Sequence, residues 1–180
     1  TQLVNDYGEE KVNLSYSLRK DQTTIRSVTE SLYGANKVSA SSAGEDDALT
    51  QQNTHRWKAV VPASGPITDK GTLSFTNNVI GATGAKDTYL QQQTDFKGNA
   101  GFERVDEQRS YNTSGVEKSV TRFFYEKTSS ANDTAVNVAD ESALRVQKTF
   151  RVTGGVESLR QVTQLVNDYG EEKVNLSYSL

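Results

Sequence analysis

The sequence predicts an all-β, mainly antiparallel fold: a sandwich or barrel of about seven to nine strands, with at most one short helix near 23–33. Two observations carry this expectation. Apolar and polar side chains alternate with a period of two in several stretches, and turn-forming clusters separate those stretches at hairpin spacing.

The opening segment, TQLVNDYGEEKVNLSYSL, sets Val12, Leu14, Tyr16 and Leu18 against Asn13, Ser15 and Ser17, which puts four apolar side chains on one face of a strand. Residues 21–34 are ambiguous. Ile25, Val28, Thr29 and Leu32 fit helical spacing, with Asp21 as cap and Gly34 as stop, but the Thr and Val content favours a strand, which is the preferred reading. Residues 34–53 read as a long polar loop.

Two further strands are expected at 55–61, ended by Pro62 and Pro66, and at 72–80, with Leu73, Phe75 and Val79 on one face. Residues 81–99 are polar and Gln-rich, and read as a loop with a short strand. The C-terminal half reads as hairpins: 102–111 with 116–128 across Asn112-Thr113-Ser114-Gly115, then 143–153 with 156–166 across Gly154-Gly155. On the third of these strands Leu144, Val146, Phe150 and Val152 share a face, interrupted by Lys148. Arg145, Gln147, Thr149 and Arg151 share the other, as in a half-solvated antiparallel sheet. A turn at Asn167-Asp168-Tyr169-Gly170 leads into a last strand.

That last strand belongs to a repeat. Residues 163–180 are identical to residues 1–18, an offset of 162, which is the size of a domain rather than of a solenoid repeat. Three readings follow: one period of a tandem array plus an overlap, a duplicated edge element that lends a strand to a neighbour, or an engineered permutation. Val12, Leu14, Tyr16 and Leu18 and their copies Val174, Leu176, Tyr178 and Leu180 are the strand-exchange candidates. Residues 1–180 are read as a single β-rich domain carrying this duplicated segment at 1–18 and 163–180.

The 180 residues include no cysteine, which removes thiol nucleophiles, disulfides and Cys-type zinc sites. Methionine is also absent, even at position 1, so the chain is expected to be an excerpt or a processed product. A net charge of −3 with interleaved signs gives no strong field for a polyanion. No apolar stretch reaches the roughly 20 residues that span a bilayer, so no membrane insertion is expected, and no targeting segment is recognised.

Catalytic templates find few partners. His55, the sole histidine, is expected at the surface or a strand end rather than in a relay. Glu103 and Glu117, across one hairpin, are better read as solvated charges than as a glycosidase pair. Glu45-Asp46-Asp47 lacks the spacing of a calcium loop, and GATGAKD at 81–87 lacks the register of a phosphate loop. Trp57 beside Arg56 offers a stacking platform for a sugar or base, although core packing is the commoner role. Arg145 and Arg151, with Arg160 on the next strand, offer a sheet face for RNA phosphates. Sequons at Asn13, Asn112, Asn132 and Asn175 matter only in a glycosylating host.

The expectation is therefore a non-enzymatic assembly subunit or binding module, extracellular, on a cell surface or in a virus particle. Its partners would be copies of itself, and no cofactor or metal is expected. The alternative is a viral or phage coat-type shell protein whose sheet contacts nucleic acid.

Overall fold

A computed structural model of the chain describes residues 1–4, 10–20, 25–56, 74–76, 79–81, 89–128 and 131–180. Among them run the strands β1 (Gln2–Val4), β2 (Lys11–Leu18), β3 (Ile25–Tyr33), β4 (Val38–Ser39), β5 (Leu49–Arg56), β6 (Ser74–Thr76) and β7 (Val79–Gly81). The second half supplies β8 (Tyr89–Lys97), β9 (Arg104–Tyr111), β10 (Glu117–Thr128), β11 (Ala131–Asp133), β12 (Leu144–Thr153), β13 (Val156–Val166) and β14 (Lys173–Ser179). Short 3-10 turns lie at Ala40–Ser42 and Ala135–Asn137.

Twelve strands join one antiparallel sheet along the path β1-β2-β3-β5-β8-β9-β10-β12-β13-β14, with β4 flanking β3 and β11 flanking β10. Among the described residues β6 and β7 pair only with each other. The fold is thus all-β and antiparallel, as expected. Its architecture is one open sheet of twelve strands instead of a sandwich or barrel of seven to nine. Strands that follow one another along the chain lie mostly side by side, and among the described residues β1 and β14 each find a neighbour on one side only.

Residues 25–33 are a strand rather than a helix, because Val28 and Ser31 must both be covered, one on each face of the sheet. The polar stretches at 49–53 and 89–97 also belong to strands, where Gln and Thr side chains fill cross-strand rows in place of apolar ones. The expected strand at 72–80 is instead the hairpin of β6 and β7. The expected hairpins across 112–115 and Gly154-Gly155 form, the latter with φ of 59° and 80°, a left-handed pair that a two-residue turn demands and glycine supplies without strain.

The sheet contains the same four-stranded unit twice. β2, β3, β5 and β8 correspond to β9, β10, β12 and β13, and each pairing recurs with its register and its bulge. Ser15↔Thr29 and Tyr16↔Val28 in the first unit are matched by Gln108↔Thr121 and Arg109↔Val120 in the second. Val28↔His55 and Thr29↔Thr54 are matched by Val120↔Phe150 and Thr121↔Thr149. Gln52↔Thr94 and His55↔Leu90, with a bulge between Thr54 and His55, are matched by Gln147↔Thr163 and Phe150↔Leu159, with a bulge between Thr149 and Phe150.

Side-chain bonds repeat as well. The Tyr33 hydroxyl donates to the Val12 carbonyl at 2.8 Å, and the Tyr125 hydroxyl to the Val105 carbonyl at 2.7 Å. Lys11 lies over the Tyr33 ring at 5.1 Å, and Arg104 over the Tyr125 ring at 5.5 Å. Burial pushes the Tyr125 phenol up to about 12, so it stays a neutral donor. Leu49 N–H donates to Glu103 as Leu144 N–H donates to Glu172. In sequence the correspondence is sparse: Ser27-Val28-Thr29 and Tyr33 return as Ser119-Val120-Thr121 and Tyr125.

Candidate functional site: the two sheet edges

The repeated 18-residue segment occupies both edges of the sheet. At one edge β1 and β2 pair through Gln2↔Leu14, Leu3↔Val12 and Val4↔Lys11, with a bulge between Gln2 and Leu3. At the other, β13 and β14 pair through Gln164↔Leu176, Leu165↔Val174 and Val166↔Lys173, with a bulge between Gln164 and Leu165. These are equivalent positions of identical sequence. The junction between the two units has the same form: Asp95↔Glu107, Phe96↔Val105 and Lys97↔Arg104, with a bulge between Asp95 and Phe96. One strand pairing, bulge included, therefore occurs three times across the sheet.

The connecting turns explain why. In the central junction Gly98 and Gly101 take φ of 120° and 84°, and in the C-terminal one Asn167 and Gly170 take 78° and 82°. Asn is the residue after Gly that best tolerates the left-handed region. A Cβ on Gly98 would stand 2.5 Å from the Phe102 carbonyl oxygen, which explains glycine there.

The chemistry of the junctions alternates. On one face of the central junction, Arg109 pairs with Asp95 at 3.0 Å and with Glu107, and Arg122 pairs with Glu107 at 2.9 Å and Glu157 at 2.7 Å. Burial raises the Asp95 pKa, but bonds from Gln51 and Gln93 and the charges of Lys37 and Arg109 outweigh it and hold the carboxyl below its usual value. At the C-terminal junction the matching face carries Val162 opposite Tyr178 and Gln164 opposite Leu176. Charge occupies one kind of junction and apolar side chains the other.

The strand-exchange candidates divide by edge. Leu14 is buried at 2% exposure, Val12 and Tyr16 are half-buried, and Leu18 is exposed. Val174, Leu176, Tyr178 and Leu180 are all exposed, between 43% and 63%. The difference is β3, which pairs with β2 and, among the described residues, has no counterpart beyond β14. The unit duplication itself escaped the sequence reading, although SVT-x-x-x-Y at 27–33 and 119–125 was its signal.

The remaining candidates are scattered. Arg56 ends β5, and Trp57 lies outside the described residues. Arg145 is engaged by Glu126 through Nε at 2.9 Å and by the Asn167 carbonyl, whereas Arg151 is exposed. Arg151 stands on a face of uncharged polar rows, in which Ser15, Thr29, Thr54, Gln92, Ser110 and Ser119 follow one another strand by strand. Hydroxyl pairs Thr29–Thr54 at 2.8 Å, Ser110–Ser119 at 2.6 Å and Thr121–Thr149 at 3.0 Å stitch these rows together.

His55 lies next to the end of β5 but not at the surface: it is 2% exposed, between Val28 and Leu90, and burial lowers its pKa to about 4. Glu103 accepts from the Leu49 and Gly101 N–H groups, while Glu117 faces Arg109 at 3.8 Å, so the two do not form a carboxylate pair. Asp47 caps Gly44 N–H at 2.8 Å, and among the described residues no group of three or more acidic or histidine side chains is set to hold a metal. No described helix is long and apolar enough to cross a membrane. No family model, curated protein or solved structure matches the chain.

Proposed function

We propose that this chain is a non-catalytic structural building block that joins four-stranded units edge to edge into an extended β-sheet, exchanging strands with copies of itself in an extracellular, cell-surface or virus-particle assembly. The observation that supports this reading is the threefold strand pairing: the contact that links the two units inside the chain is the one its repeated segment makes at both edges. A contact between unlike surfaces of successive units extends indefinitely or closes into a ring, and either is an assembly. An exposed, regular edge strand such as β14 is also a hazard for a protein that does not use it.

The reading is tested by adding a period. A chain in which residues 19–180 follow Leu180 a second time is expected to unfold in one transition, at a higher temperature than the present chain, because units that share interfaces stabilise one another. Scattering should give a proportionally longer particle. Two transitions at the original temperature would sink the proposal.

A second reading, a shell protein whose sheet touches nucleic acid, is favoured by one observation: the exposed Arg151 stands among uncharged hydroxyl and amide rows. The engagement of Arg145 by Glu126 counts against it. Retention on immobilised RNA that falls steeply with salt, and falls further in R151A, would support it; retention unchanged by R151A would remove it.

A further inference from the structure

We infer that the open edge of β14 is a docking site for β3 of a second copy of this chain, which it reaches by displacing that copy's own residues 1–18. The inference rests on the assembly reading above and names its contact. β14 repeats the sequence of β2, and the edge that β14 leaves open is the edge on which β2 receives β3. Carrying the observed register across gives the intermolecular pairs Leu176↔Glu30, Ser177↔Thr29, Tyr178↔Val28 and Ser179↔Ser27. Each has a precedent in the same chain.

The side chains on the receiving side are already shaped for this strand. Tyr33, which donates to the Val12 carbonyl, would donate to Val174. The Glu45 and Asp47 carbonyls, which accept from Lys11 at 2.9 and 2.8 Å, would accept from Lys173. Leu176, now 49% exposed, would enter the seat in which Leu14 is 2% exposed.

Charge selects β3 over β10 as the partner. β10 stands where β3 stands in the second unit, but it presents Arg122 in the place of Glu30, and Arg122 needs Glu107 on the strand beside it. β14 carries Leu176 at that position, which would leave Arg122 with Glu157 alone of its two carboxylates, so β14 matches β3 better than β10. β2 pairs with β1 at three positions, and β14 pairs with β13 at six.

The full-length chain tests this by light scattering and sedimentation across a concentration series, beside circular dichroism to follow strand content. L14E puts a carboxylate opposite Glu30 in a buried seat and loosens the N-terminal hairpin, so its weight-average mass is expected to rise at least twofold above that of the unaltered chain. L14E/L176E, whose incoming strand carries the same lesion, is expected to remain monomeric while the rest of the sheet keeps its strand content. L14E/L176R, which sets a guanidinium opposite Glu30 as Arg122 stands opposite Glu107, is expected to associate again. A monomeric L14E chain, or equal association of L14E and L14E/L176E, overturns the inference. If L14E stays monomeric while the chain lengthened by one period still gains stability, the exchange fails and the array reading stands.

Discussion

Leu14 and Leu176 hold the same place in the same hairpin, opposite Gln2 and Gln164, yet one is 2% exposed and the other 49%. Local sequence determines the hairpin, and the neighbouring strand determines the burial. β3 pairs with β2 and the 3-10 turn at Ala40–Ser42 packs against it, and among the described residues β14 has neither neighbour.

One substitution made twice separates these effects. Leu14→Ala is expected to destabilise the fold by about 3 kcal/mol, through lost transfer energy and a cavity, whereas Leu176→Ala should change stability by less than about 0.5 kcal/mol. Urea unfolding of the two variants measures both.

Tyr33 and Tyr125 make the same bond in the two units, so Tyr33→Phe and Tyr125→Phe should each cost about 1 kcal/mol. The sites lie in different units, and the double variant should show the sum. Unequal costs in thermal or urea unfolding would mean that the two units are not energetically alike.

His55 should make the fold sensitive to acid. Its pKa is depressed to about 4 in the folded chain against about 6.5 when unfolded, so the unfolded state binds the extra proton. Stability is complete above about pH 6.5 and falls as the pH drops towards about 4, by up to about 3 kcal/mol. His55→Phe, which copies Phe150 of the second unit, should flatten the pH dependence in that window.

The central junction should respond to salt. Arg109 is partly exposed among Asp95, Glu107 and Glu117, so Arg109→Ala is expected to cost about 1 kcal/mol at low ionic strength and less at 1 M salt. Denaturation at the two salt concentrations distinguishes this from a loss of packing, which salt would not reduce.

The hairpins at Asn112–Gly115 and Gly154-Gly155 were legible because glycine and asparagine mark turns and apolar residues alternate on either side of them. β5 and β8 were not. Their rows read Leu-Thr-Gln-Gln-Asn-Thr and Gln-Gln-Gln-Thr, and polar side chains on both faces resemble a loop until the neighbouring strands supply partners. His55 looked like a surface residue for the same reason: only the register sets it between Val28 and Leu90. The duplication of the unit was masked by unequal connections, since β5 and β8 are separated by residues 57–88 while β12 and β13 are joined by two glycines. It was masked further because recurring registers need only compatible residues, such as Leu14–Glu30 against Glu107–Arg122.

Each unit contributes four strands to the meander, an even number, so β2, β9 and β14 all run in the same direction. Units therefore follow one another by repetition and not by inversion, and any sheet built from them has a direction. Its two termini expose different chemistry, so a molecule that caps one leaves the other free to grow. The same evenness makes a twofold edge-to-edge dimer, common among antiparallel sheets, a different contact from any of the three seen inside the chain.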